Sequence, residues 1–201
     1  MKSKTLIDKI QYEAKLAQGD ETKNVSYASQ NTLPNELAAR EAFDQSVKKL
    51  LDVNAWSTLS SLTADFQVYD SAGQPKTGSP QPNDYINVVL PGPVPENWVR
   101  VTHSSLDDNR AEFTVQPSQK PGETETDEVA HFFRSEARST FRVELSGTTI
   151  TASEIGQQES VNNQQPQAGD RAIINTVIAE TGWLFYQQFQ WKRLTDYLVH
   201  L

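Results

Sequence analysis

The chain has no cysteine, which excludes disulfide scaffolds, thiolate zinc sites, iron–sulfur clusters and thiol catalysis together. Methionine occurs once and histidine three times. Basic residues are outnumbered: 18 Lys and Arg stand against 26 Asp and Glu in 201 residues, a net charge of −8. An acidic surface repels phosphate backbones and anionic headgroups, so neither nucleic acid nor a membrane surface is an expected partner. Long apolar runs are absent, and no segment approaches the roughly 20 apolar residues that span a bilayer. The opening segment, Met1 to Gln18, has two early lysines and only short apolar groups, unlike a signal peptide. A soluble, cytoplasmic protein is expected, and the sequon Asn24-Val25-Ser26 then reads as a chance match.

The motifs that carry familiar chemistry are missing as well. The nine glycines are scattered, and neither G-x-G-x-x-G nor G-x-x-x-x-G-K-[ST] occurs, so no nucleotide cofactor has a recognisable seat. There is no G-x-S-x-G. His103 and Ser104 are adjacent with Asp107 nearby, but neighbouring side chains on a strand point to opposite faces. Glu128-x-x-His131 has the spacing of a di-iron helix, yet it occurs once and at the start of an expected strand. The acidic run Glu123 to Glu128 lacks the glycine and terminal spacing of a calcium loop and reads as solvated. No catalytic residue, metal ligand or cofactor contact is therefore assigned. Asp65, Asp84 and Glu154 lie near strand runs, and spacing alone does not bring any two of them together as an acid/base pair.

What is present is a clear change of period. Residues 1–31 read as an N-terminal helix, with Leu6, Ile7, Ile10, Ala14 and Ala17 at helical spacing, followed by a polar linker. Residues 32–55 carry a second helix starting near Pro34, with a stripe of Leu37, Ala39, Ala42, Phe43, Ser46, Val47, Leu50 and Leu51. Residues 56–156 are a series of short strands: Thr63–Tyr69, Tyr85–Leu90, Trp98–His103 and Ala111–Gln116. A turn at Asp107-Asp108-Asn109 makes one hairpin, and Ser146-Gly147 makes another. Phe133–Leu145 alternates without interruption, with Arg134, Glu136, Arg138, Arg142 and Glu144 on the wet side. Residues 157–169 form a Gln/Asn-rich connector, and residues 170–201 a long C-terminal helix with a break expected at Gly182.

Taken together, residues 1–201 are expected to make a single α+β domain. A curved antiparallel sheet of about six strands, or a partial barrel, carries two N-terminal helices and a long C-terminal helix packed on it. The order of elements resembles the helix-grip lipid-binding domains, in which a long C-terminal helix closes a curved sheet. The resemblance lies in that order, and no functional residues are carried over from it.

The small residues Ser135, Ala137 and Ser139 face the bulky Trp183, Phe185, Tyr186, Phe189 and Trp191 in this scheme. They either interdigitate as a packed layer, which dense interiors favour, or line a ligand cavity. Trp98 and Arg100 follow a stiff loop with three prolines, and Trp98 reads first as a core plug. The residues singled out for ligand or partner contact are Tyr85, Trp98, Arg100, Trp183, Tyr186 and Trp191. The leading functional expectation is a non-enzymatic binding module holding an apolar small molecule between sheet and C-terminal helix. The alternatives are a protein-interaction or assembly protein with a filled core, which includes a homodimer, and a metal-independent enzyme of unrecognised type.

Overall fold

The computed structural model describes residues 22–92, 94–123, 128–163, 168, 169, 172, 175 and 183–201, with the backbone alone for 183–185. The helix expected over Lys4–Ala17, the middle of the Gln/Asn-rich connector and the position of Gly182 lie outside the described residues.

The elements in chain order are β1 (Lys23–Thr32), α1 (Glu36–Leu51), a 3-10 helix (Val53–Thr58), β2 (Asp65–Tyr69), β3 (Tyr85–Val89), β4 (Asn97–Asp107), β5 (Arg110–Pro117), β6 (Arg138–Ser146), β7 (Thr149–Glu159) and α2 (Trp183–Leu198). Seven strands form one antiparallel sheet in the order β1-β7-β6-β5-β4-β3-β2. From β2 to β7 each strand pairs with the next, as short antiparallel connections favour. β1 adds to the far edge. The sheet is curved and unclosed, both helices pack on its inner face, and the arrangement is helix-grip-like.

α1 begins at Asn35, whose side chain accepts a hydrogen bond from Ala38 N at 2.9 Å. The cap therefore lies just past the expected Pro34, because an asparagine carbonyl satisfies a free helix N–H that proline cannot serve. Glu36 in the first turn and Lys48 and Lys49 in the last suit the helix dipole. Ala39, Phe43, Ser46 and Leu50 make the buried stripe, while Leu37, expected on it, is exposed. The core centres on Trp56, whose ring lies 5.4, 5.9 and 5.1 Å from those of Phe66, Phe113 and Phe141. Its indole nitrogen donates to Lys49 O at 2.9 Å, so the largest core side chain is also polar-satisfied.

Three expectations are corrected. The polar linker before residue 32 is in fact strand β1. Its inner positions, Ser29 and Asn31, dock by hydrogen bonds instead of apolar packing. The Ser29 hydroxyl donates to Asp196 at 2.6 Å, and the Asn31 amide donates to Val199 O at 2.8 Å. The connector expected over 157–169 starts later, since β7 continues through Glu159. The strand expected from Phe133 to Leu145 is broken. A turn closed by Ala137 N to Arg134 O at 3.1 Å separates β6 from Phe133, which bridges to Val161. Ser135, Ala137 and Ser139 therefore do not form one inward stripe. Ala137 packs with Phe132, Phe133 and Val161 in a cluster of its own.

The charged outer face follows the alternation that the sequence carries. Arg142 lies directly opposite Glu112, and their Nε–Oε2 distance is 2.6 Å. Arg110 joins at 2.9 Å. Burial opposes ionisation of Glu112, but the hydrogen bonds from Arg142 and Arg110 outweigh it and hold the carboxyl below its usual range.

Candidate functional site

The inner face of the sheet is not filled everywhere. A cavity of about 70 Å³ lies between β2–β6 and α2. Phe66, Ile86, Val88, Val99, Val115 and Phe141 line it from the strands, with Trp56 below and Tyr186, Gln187, Gln190 and Trp191 from the helix. The segment around His131, Phe132 and Phe133 makes the end wall. That segment is pinned from both sides: Phe132 N donates to Asn97 Oδ1 at 2.8 Å, and Asn162 N donates to Phe132 O at 2.7 Å. One water needs about 10–15 Å³ on such a measure, so the space holds about five waters or one small ring.

The helix wall is polar in a specific way. Gln187, Gln190 and Trp191 stand at i, i+3 and i+4 and share one helix face. Gln190 Oε1 accepts from Ala64 N at 2.8 Å and from the Tyr186 hydroxyl at 3.2 Å, which fixes the orientation of its amide. Its Nε2 has no partner among the described residues. The Gln187 amide donates to both oxygens of Glu159 at 3.1 Å, and its Oε1 has no partner among the described residues. Trp191 Nε1 is likewise buried and has no partner among the described residues. Buried polar atoms are nearly always paired, so three such atoms on one cavity wall call for an explanation. Tyr186 is pushed up to about 12 by burial and, to a lesser extent, by the Asp65 carboxylate, and stays a neutral phenol.

Behind Gln187 two carboxyl groups converge on β7. Glu154 is fully buried opposite Phe141, and neither of its oxygens makes a hydrogen bond of normal geometry among the described residues. Burial and then the neighbouring Glu159 push its carboxyl well above the usual range, against a smaller pull from the Ser139 hydroxyl. Glu159 is 3% exposed, and burial raises it to about 7, against the opposing effects of Gln187 and Lys23. Strand alternation alone would turn Glu159 outward, since Glu154 and Gly156 face in. A β-bulge reverses it. Val25 pairs with Gly156 and Lys23 with Glu159, so three steps on β7 match two on β1. Gln158 takes φ 52° there, and its N–H donates to Asn24 Oδ1 at 2.8 Å. Gly156 completes the device, because a Cβ at that position would collide with the Glu159 carboxyl.

The residues singled out from the sequence fall on two faces. Tyr186 and Trp191 line the cavity. Trp98 is buried on the outer face, its ring 5.1 Å from that of Tyr69 and its nitrogen donating to Glu96 at 3.1 Å. Tyr85 and Arg100 are register partners beside a polar surface groove with Gln116 and Lys120. The side chain of Trp183 lies outside the description. Of the carboxylates near strand runs, Asp84 is paired with Lys76 at 2.5 Å and Asp65 is exposed, so neither meets Glu154. Glu159, Gln187 and Gln190 were missed by sequence reasoning. Two glutamines three residues apart inside an aromatic helix were the available signal.

No family model matches the chain, and no curated protein does. Among solved structures, the chain is similar to the hypothetical protein jhp0584 from Helicobacter pylori, at 14% identity and TM-score 0.55, covering 93% of this chain and 92% of that one. That likeness shows a shared fold. Norcoclaurine synthase from Thalictrum flavum, crystallised with dopamine and hydroxybenzaldehyde, aligns at 9% identity and TM-score 0.45 over 90% of both chains. The ginseng major latex-like protein 151 from Panax ginseng aligns at 12% identity and TM-score 0.38, over 78% of this chain and 95% of that one. Both lie too far away to carry an argument. The class defined is thus a curved antiparallel sheet gripping a C-terminal helix, with an apolar cavity between them.

Proposed function

We propose that the protein binds a small, largely apolar molecule in the cavity between the sheet and α2. The observation that carries this reading is the combination at one place: apolar walls, free space, and three buried polar atoms on the helix side that no group among the described residues satisfies. A filled interior, which an assembly protein would have, gives no reason for such atoms. Catalysis by Glu154 and Glu159 is less well supported, because both carboxyls stand behind Gln187 and Ser139 and do not line the cavity. Binding in place of reaction is the role those positions suit.

Titration with toluene, followed by backbone and indole N–H resonances, tests the reading. The expected result is shifts confined to the cavity residues, among them Val99, Val115 and Trp191. Val115→Phe fills the space and removes the shifts while circular dichroism stays native. Val88→Phe, at a half-buried position, gives a second blocked form should the first fold poorly. A wild-type chain whose spectrum toluene leaves unchanged overturns the proposal.

A further inference from the structure

We infer that the cavity's ligand carries a neutral amide-type group, with an N–H and a C=O side by side, as in a carboxamide or a lactam. The inference rests on the cavity reading above and narrows it to a chemical class. The wall has a fixed polarity pattern. Gln190 has both its carbonyl contacts made inside the protein, so its NH2 is the end left over. Gln187 has its NH2 committed to Glu159, so its carbonyl is the end left over. Trp191 adds an indole N–H four residues beyond Gln187. The wall therefore has one acceptor and two donors without partners, on side chains whose Cβ atoms lie about 5–6 Å apart along one helix face. Gln187 and Gln190 are both 2% exposed, so solvent at the surface does not serve them.

Other head groups match this pattern less well. A hydrocarbon leaves all three atoms unpaired. An ammonium group answers Gln187 but gives nothing to the two donors. A carboxylate answers the donors but opposes the Gln187 carbonyl and sits in front of Glu159 and Glu154, which form no ion pair with a described residue. An amide donates to Gln187 and accepts from Gln190 or Trp191 at once, and it adds no charge beside the buried carboxyls. The bulge at Gln158 and the missing Cβ at Gly156 are what hold Glu159 against Gln187, so Glu159 acts as a positioning residue for the acceptor.

The test compares dissociation constants for toluene, benzamide, benzylamine and benzoate, four single-ring probes of similar bulk, with the full chain at neutral pH. Benzamide is expected to bind about ten-fold or more tightly than toluene, with benzoate the weakest. Gln187→Leu and Gln190→Leu are each expected to abolish benzamide's advantage over toluene. Gln190→Leu keeps the Gln187–Glu159 contact but removes the acceptor of Ala64 N, so a circular dichroism spectrum that stays native is what separates ligand recognition from an effect on folding. Benzamide no tighter than toluene, or benzoate tightest, overturns the amide inference while the cavity reading stands. Failure of all four probes to bind overturns both.

Discussion

Replacing Glu159 with glutamine is the sharpest perturbation of the buried pair. In the folded chain burial raises this carboxyl from 4.5 to about 7. Below pH 4.5 it is protonated in the folded and the unfolded chain alike, and stability does not depend on it. Between pH 4.5 and 7 the unfolded chain ionises it and the folded chain does not, so stability falls as pH rises. At about 1.4 kcal/mol per pH unit the loss reaches about 3 kcal/mol and levels off above pH 7. Glu159→Gln has no charge to bury, and its amide oxygen still accepts from Gln187. Denaturant unfolding of both proteins from pH 4 to 8 reads the effect, because carboxyls remote from Glu159, such as Glu112, cancel in the difference. The variant is expected to gain on the wild type by about 3 kcal/mol across that range. A difference that stays flat with pH, or tilts towards the wild type, refutes the account of Glu159 as a buried, strained carboxyl.

Two further substitutions test the scaffold. Gly156→Ala places a methyl group where the Glu159 carboxyl lies and is expected to destabilise by about 1–3 kcal/mol. In a Glu159→Ala background the cost is expected to shrink but not to vanish, because the Val25 side chain would also lie 2.9 Å from the added methyl, and additive effects in the double-mutant cycle would contradict the Glu159 contact. Arg142→Ala leaves the Glu112 carboxylate with Arg110 and the more distant His103 ring, and is expected to cost about 1–3 kcal/mol at pH 7. Because Glu112 is held below its usual range, that cost is expected to shrink as pH falls below about 4.5, where the unfolded chain first takes up the proton. A cost independent of pH would show that Arg142 acts through packing.

The meander from β2 to β7 was legible because its inner residues are β-branched or aromatic and its turns carry Asp-Asn or Gly at the right places; Gly147, with φ 58°, makes the second hairpin. α1 was legible from its stripe. β1 was not, since the inward Ser29 and Asn31 are polar and find their partners at Thr195 on α2 and at Val199 just past its end, 166 and 168 positions away, a pairing no local pattern encodes. Phe133–Leu145 misled because alternation continues through the turn at Arg134–Ala137, where Ala137 is still buried but against a different cluster. At the site, aromatic residues drew attention to Tyr186 and Trp191, while Gln187 and Gln190 were not singled out. Glu159 was hidden for a different reason. Its inward direction depends on a bulge, and a bulge reverses the parity from which faces are read.

The most direct measurement is a crystal of the protein soaked with bromobenzene, read by the anomalous signal of bromine. The account predicts a peak enclosed by Phe66, Phe141 and Trp191, beneath α2. A sheet and helix found in full contact there, with bromine only on the outer surface, would contradict it.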